Sequence, residues 1–101
     1  MNDPRLVKKW KAIEIQLIQA AEFLLEPDNF KLEQKELKEY QEYLRVNEFE
    51  LAMDELAAIA KEHGAKSGFW RRLQKAASNM ELRGKVEEYE QEFHEALSKN
   101  V

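Results

Sequence analysis

The chain has 101 residues, of which 44% are hydrophobic and 36% are charged, and it carries a net charge of −4 and no cysteine. This length allows one hydrophobic core, so we expect residues 1–101 to form a single helical domain. The lack of cysteine excludes disulfides and thiolate catalysis, and the acidic excess disfavours a nucleic-acid partner and favours a basic one.

The composition also predicts the fold class and the compartment. Three Gly, two Pro and no Thr, in a chain rich in Leu, Ala, Glu and Lys, favour helices over strands. We expect an all-α bundle of four to five helices. No apolar run approaches the roughly 20 residues of a membrane span, and the segment MNDPRLVKKWK lacks the apolar core of a secretory signal. A cytoplasmic protein without membrane contact is therefore expected.

The first predicted helix begins at Asp3-Pro4, an N-cap acceptor followed by a residue well tolerated at the first helical position. It is predicted to end at Pro27. Its wide apolar stripe is expected to be buried at the centre of the bundle. The stripe consists of Leu6, Val7, Trp10, Ile13, Leu17, Ile18, Ala20, Ala21, Leu24 and Leu25.

The second predicted helix runs from Asn29 or Phe30 to Leu44 and buries one face. That face consists of Phe30, Leu37, Tyr40 and Leu44.

The third predicted helix opens at Asn47, whose side chain would form a capping box with Glu50. It stops at Gly64, a residue suited to a left-handed backbone. Helical spacing assigns one stripe of this helix to the core. The stripe consists of Phe49, Ala52, Met53, Leu56, Ile59 and Ala60.

A second face of this helix is acidic. Glu48, Glu55 and Glu62 recur every seven residues along one flank, and Asp54 lies on the far side. Leu51 and Ala58 lie between these acids and are expected to point away from the core. An exposed apolar residue ringed by carboxylates suits a charge-steered protein-binding site. In the alternative interpretation, Leu51 packs against another helix and the glutamates only solvate the surface.

A fourth helix is expected after a capping Ser67, and a fifth around residues 86–97. Ser78-Asn79 and Gly84 leave open whether residues 69–98 form one helix or two. The apolar residues of the fourth helix are Phe69, Trp70, Leu73, Ala76, Ala77 and Met80, and those of the fifth are Val86, Tyr89, Phe93, Ala96 and Leu97. Because the fifth stripe has heptad-like spacing, a homodimer or a helical adaptor is an open alternative.

Residue patterns typical of enzymes and metal sites are missing from the sequence. His63 and His94 lie on different predicted helices, and neither belongs to the Glu-x-x-His motif of a di-iron bundle. There is no nucleophile elbow around a serine and no glycine-rich phosphate loop. We therefore expect no enzymatic activity, no metal and no cofactor.

One basic segment, AKSGFWRRLQK, is a candidate for nucleic-acid binding. A recognition helix could use Arg71, Arg72 and Lys75 in this way. However, Phe69 and Trp70 align with the core stripe of the same helix, so a solvated or intramolecular role of the basic residues is favoured. A small DNA-binding regulator remains a third reading.

The third helix and the turn before it resemble the central signature of small bacterial immunity proteins, in particular the MafI-type group. The matching pattern is Tyr43-Leu44, a short break, the run Asn47-Glu48-Phe49-Glu50-Leu51-Ala52, and then Leu56. The resemblance covers residues 40–62 and extends more loosely through 69–82. One departure is Glu50, where such sequences often carry Gly.

This resemblance implies a cytoplasmic protein that neutralises one cognate toxin of a polymorphic or contact-dependent growth-inhibition system. It would bind the toxin domain and block its active site or substrate entry. Many such toxins are nucleases with a basic cleft, and an acidic helix face is the expected complement. The residues expected to bind the toxin are Glu48, Leu51, Asp54, Glu55 and Glu62.

Overall fold

A computed structural model describes residues 3–24 and 37–99, and every regular element in these ranges is a helix. The five helices are α1 (Pro4–Leu24), α2 (Lys38–Arg45), α3 (Phe49–His63), α4 (Ser67–Asn79) and α5 (Arg83–Lys99). The predicted all-α bundle is therefore confirmed, and α4 and α5 are two separate helices. Leu25, Pro27 and the predicted start of the second helix lie outside the described residues.

Two predicted helix ends are confirmed by their hydrogen bonds. The Asp3 carboxylate accepts a hydrogen bond from the backbone N–H of Arg5 at 2.9 Å, which caps the start of α1. Gly64 has a φ of 84°, and its N–H donates to the Ala60 carbonyl at 2.7 Å. This positive φ ends α3 at low cost because glycine has no Cβ.

Two predicted N-caps are wrong. Asn47 has a φ of 62° and its N–H donates to the Leu44 carbonyl, while the Glu48 N–H donates to the Tyr43 carbonyl. These two bonds form a Schellman motif, so Asn47 ends α2 instead of opening α3. No side-chain bond caps α3 or α4, and Ser67 is itself the first residue of α4.

A second Schellman motif joins α4 to α5. The N–H groups of Glu81 and Leu82 donate to the carbonyls of Ser78 and Ala77, both at 3.0 Å. Glu81 adopts a φ of 60° in this turn. A left-handed backbone is unfavourable for a residue such as glutamate, because its Cβ comes too close to the following carbonyl oxygen.

Helix α4 is central to the core and contacts α1, α3 and α5. Its buried residues are Phe69, Trp70, Leu73, Gln74, Ala76 and Ala77. The Trp70 ring lies 5.0 Å from Phe69 and 5.7 Å from Tyr89 of α5, measured between ring centroids. These aromatic contacts join α4 to α5 within the chain.

The predicted heptad seam of α5 is used inside the fold. Tyr89 and Ala96 are buried, and Val86 and Phe93 pack partly buried against the core. The buried Gln74 also donates from its amide to the Val86 carbonyl at 3.1 Å. This seam is therefore not free to pair with a second chain.

The predicted burial of the α1 stripe is wrong for the first two turns of the helix, where Leu6, Val7 and Trp10 are 44%, 40% and 39% exposed. The cause is a difference in helix length. Helix α1 has 21 residues and α4 has 13, which correspond to about 31 and 20 Å. Asn79, the last residue of α4, donates to Gln16 at 2.8 Å, so α4 ends beside the middle of α1.

Ile18, which was also assigned to the buried stripe, is 37% exposed. It is rotated by about 100° from the fully buried Leu17 and faces outward.

We expect Glu81→Gly to raise the free energy of unfolding by roughly 0.5–1 kcal/mol, because glycine relieves the left-handed strain. Urea titration followed by circular dichroism measures the change. The Glu81 side chain is 82% exposed, and its contact with Lys9 spans 3.8 Å, so little is lost with it. The control is Asn47→Gly, which should gain less because asparagine tolerates this conformation. A gain no larger at position 81 than at 47 would contradict the expected strain.

A matched pair of glycines tests the contact between α1 and α4. Gly68 and Gly84 each occupy the second position of a helix, but a Cβ on Gly68 would lie 2.6 Å from the Phe23 ring, whereas one on Gly84 meets nothing within 4 Å. Gly68→Ala should destabilise the fold by roughly 1 kcal/mol because the ring must move. Gly84→Ala should stabilise it by about 0.5–1 kcal/mol. Equal shifts in thermal unfolding would refute the close approach.

Candidate partner-binding face of α3

The outer side of α3 carries most of the predicted site residues. Leu51 is 44% exposed, Glu48, Ala58 and Glu62 are exposed, and Glu55 is half-buried. The predicted core stripe is buried on the opposite side, together with Ala57. The prediction that Leu51 and Ala58 point away from the core is thus confirmed. The alternative, in which another helix covers Leu51, is wrong for the described part of the chain.

One further exposed apolar residue leads into this surface and was not predicted as part of it. Val46, in the turn before α3, is 53% exposed. Glu50 is also exposed, but it is rotated by about 140° from Glu55, toward the side of Asp54. Glu50 was assigned to a capping box that does not form. The only sequence signal for Val46 was an apolar residue beside a turn-forming asparagine. We call the set Val46, Glu48, Leu51, Glu55, Ala58 and Glu62 the α3 face.

The carboxylates of the α3 face are unpaired within the described ranges. None of its three glutamates forms an ion pair with a residue in 3–24 or 37–99. Unpaired acids along one side of a helix create a negative potential that attracts cationic partners. Leu51 and Val46 add apolar contact area within this field.

The other flank of α3 is neutralised by α5. Asp54 lies 3.6 Å from the Lys85 ammonium, Lys85 lies 3.6 Å from Glu88, and Glu88 accepts a hydrogen bond from Lys61 at 2.6 Å. The four alternating charges form a chain along the seam between α3 and α5. Asp54 was expected on the far side of Leu51 from Glu48, Glu55 and Glu62 and was expected to bind the partner as they do. It lies on that far side, but its intramolecular pairing with Lys85 separates it from the α3 face.

Hydrogen bonding within this chain of charges shifts two pKa values. The hydrogen bond from Lys61 lowers the pKa of Glu88, and the same bond raises the pKa of Lys61. A lowered carboxyl pKa contributes stability above its unfolded value of about 4.3, and a raised ammonium pKa contributes below about 10.4. The pair therefore stabilises the fold between these two limits.

Beneath this seam, two buried oxygens have no hydrogen-bond partner, the Asp54 Oδ1 and the Tyr89 hydroxyl. Burial raises the pKa of Tyr89, and the negative charge of Asp54 adds to the shift. The hydroxyl therefore stays protonated near neutral pH and faces the α3–α5 seam as a neutral group.

The basic segment of α4 is largely engaged inside the molecule. The Arg71 guanidinium stacks 3.8 Å from the centroid of the Phe93 ring, and Arg72 lies 4.8 Å from that of Phe23. Arg72 also donates to the Gly68 carbonyl at 3.2 Å. Cation–π contacts hold both side chains against the core, so of the three basic residues Lys75 is exposed while Arg71 and Arg72 are half-buried.

Other kinds of site are not indicated by the described residues. No group of three or more His, Cys, Asp or Glu in residues 3–24 and 37–99 could hold a metal ion. No helix in these ranges is long and apolar enough to cross a bilayer. A groove of about 350 Å³ lies between the C-terminal ends of α3 and α5, lined by charges of both signs such as Lys61, Lys99 and Glu92.

We expect the Lys61–Glu88 interaction to be constant between about pH 6 and 8 and to weaken below about pH 4, as Glu88 becomes protonated. Its magnitude should be under 1 kcal/mol because both side chains are partly exposed. A double-mutant cycle with Lys61→Met and Glu88→Gln, measured by urea unfolding at several pH values, gives the interaction energy. The cycle for Lys9 and Glu81, which are 3.8 Å apart, is the control and should be near zero throughout. A Lys61–Glu88 energy that grows on acidification would contradict the pairing.

No protein-family model, curated protein or solved structure matches the chain.

Proposed function

We propose that this chain is an immunity protein that binds a cognate bacterial toxin domain through the α3 face and blocks its active site or substrate entry. The observation that carries the proposal is the row of unpaired glutamates Glu48, Glu55 and Glu62 beside the exposed Leu51. The signature resembling that of immunity proteins covers the same helix. Neutralisation would take place in the cytoplasm, where such toxins act.

The chemistry of the α3 face defines the toxin surface that would fit it. A row of carboxylates speeds the encounter with a cationic cleft and opposes acidic partners. The apolar centre supplies the contact that shields the charge pairs from water. A nuclease active site that binds phosphates is basic for its own function, so an acidic helix can occupy the place of the nucleic acid.

The features that suggested two alternative functions make contacts inside the fold. The α5 seam that suggested a helical adaptor is packed against α4. The Arg71 and Arg72 side chains that suggested DNA binding lie against Phe93 and Phe23. By contrast, the glutamates of the α3 face form no ion pair with any residue in 3–24 or 37–99.

The proposal is tested by co-purification of the tagged chain from its native cells, with the wild type beside the triple variant Glu48→Lys, Glu55→Lys and Glu62→Lys. The wild type should recover one stoichiometric protein. The same protein expressed alone should arrest growth, and coexpression of the wild type should restore it. The reversed variant should bind at least about a hundredfold more weakly, because juxtaposed like charges cost several kcal/mol.

A second triple variant, Glu22→Lys, Glu87→Lys and Glu95→Lys, changes the net charge equally at exposed positions of α1 and α5. It should bind the recovered protein like the wild type. Equal loss in both variants would mean that net charge alone governs binding and would remove the α3 face from the proposal. Recovery of a partner that is harmless when expressed alone would reject the immunity function itself.

A further inference from the structure

The first turns of α1 form a second exposed surface with the opposite charge. Leu6, Val7 and Trp10 are each about two-fifths exposed and lie within an arc of about 100° around the helix. They extend past the end of α4, so no described helix covers them. Contiguous exposed apolar side chains of this size mark interaction sites more often than scattered single ones.

The charges around this apolar surface are basic. Residues 3–11 contain four cations and one carboxylate, in a chain whose net charge is −4. By helical rotation, Lys9 and Lys11 lie on the two sides of the arc formed by Leu6, Val7 and Trp10. We call residues 3–11 the α1 end. A partner for it needs an apolar centre with acidic groups around it.

The α3 face of the same protein meets this description. It has the exposed Leu51, with Val46 in the turn before it, and unpaired glutamates along one side of the helix. We propose that the α1 end of one copy docks on the α3 face of a second copy, so that the protein associates with itself head to tail. Apolar contact between Leu6, Trp10 and Leu51 would hold the copies together, and the lysines would pair with the glutamates.

Charge favours this pairing over the symmetric ones. Two α1 ends facing each other would oppose cations, and two α3 faces would oppose carboxylates. A contact between two different surfaces repeats from copy to copy and closes into a ring or continues as an open chain. This association between copies does not require a toxin. If the toxin does bind the α3 face, it competes with the second copy for the same glutamates.

Sedimentation velocity of the purified protein tests the proposal. The weight-average mass should rise with protein concentration at ~50 mM salt and fall toward the monomer at ~500 mM, where charges are screened. Lys8→Glu, Lys9→Glu and Lys11→Glu together should give a monomer, as should Glu48→Lys, Glu55→Lys and Glu62→Lys together. An equimolar mixture of these two variants should associate again, since each carries the charges that the other lost.

A matched pair of substitutions, at Leu6 and at Ile15, tests the apolar part of the contact. Leu6 and Ile15 lie on the same helix with 44% and 49% exposure, but Ile15 lies outside the apolar arc. Leu6→Gln should weaken association at least about tenfold, and Ile15→Gln should leave it unchanged. Circular dichroism confirms that each variant is folded.

Three results would overturn the proposal. The first is a monomer at every concentration. In that case, lysine-dependent flotation with vesicles of anionic phospholipid would assign the α1 end to a membrane surface instead. The second is association that persists in both charge variants, which would place the contact elsewhere. The third is a mixture that stays monomeric. Because the toxin is absent from these measurements, none of them bears on whether the α3 face binds one.

Discussion

Burial of α4 on several sides is the constraint on which the rest of the structure depends. Its fully buried Leu73, Ala76 and Ala77 allow neighbouring helices to approach closely, and its aromatic residues anchor α5 through Tyr89. Once α5 lies beside α4, its Lys85 and Glu88 reach Asp54 and Lys61 on the near flank of α3 and neutralise it. The far flank then remains as the charged surface. The position of the charged surface on α3 is thus a consequence of how α4 is buried.

The helices and most of the core follow from the sequence because burial in a helix repeats with the 3.6-residue period. The stripes assigned to α3 and α4 are buried as expected, and Leu51 lies outside because it is rotated away from Phe49 and Met53. The same reasoning placed three glutamates on one flank. Each of these conclusions needs only the spacing of residues along one element.

Features that depend on two elements were beyond this reasoning. Asp54 is neutralised because Lys85, distant in sequence, reaches it across the α3–α5 seam. Leu6 and Trp10 are exposed because α4 is shorter than the helix it packs against. Asn47 suits both the start of a helix and the end of the preceding one, and only the bonds to Tyr43 and Leu44 decide between them.

The exposure of Trp10 in the first turns of α1 has a consequence for the fluorescence of the protein. The chain has two tryptophans, and the fold places them in opposite surroundings, with Trp10 39% exposed and Trp70 2% exposed beside Tyr89. Aqueous quenchers such as iodide will reach the indole of Trp10 and be kept from that of Trp70 while the protein is folded. Intrinsic fluorescence therefore separates contact at the α1 end from loss of the core without any added label.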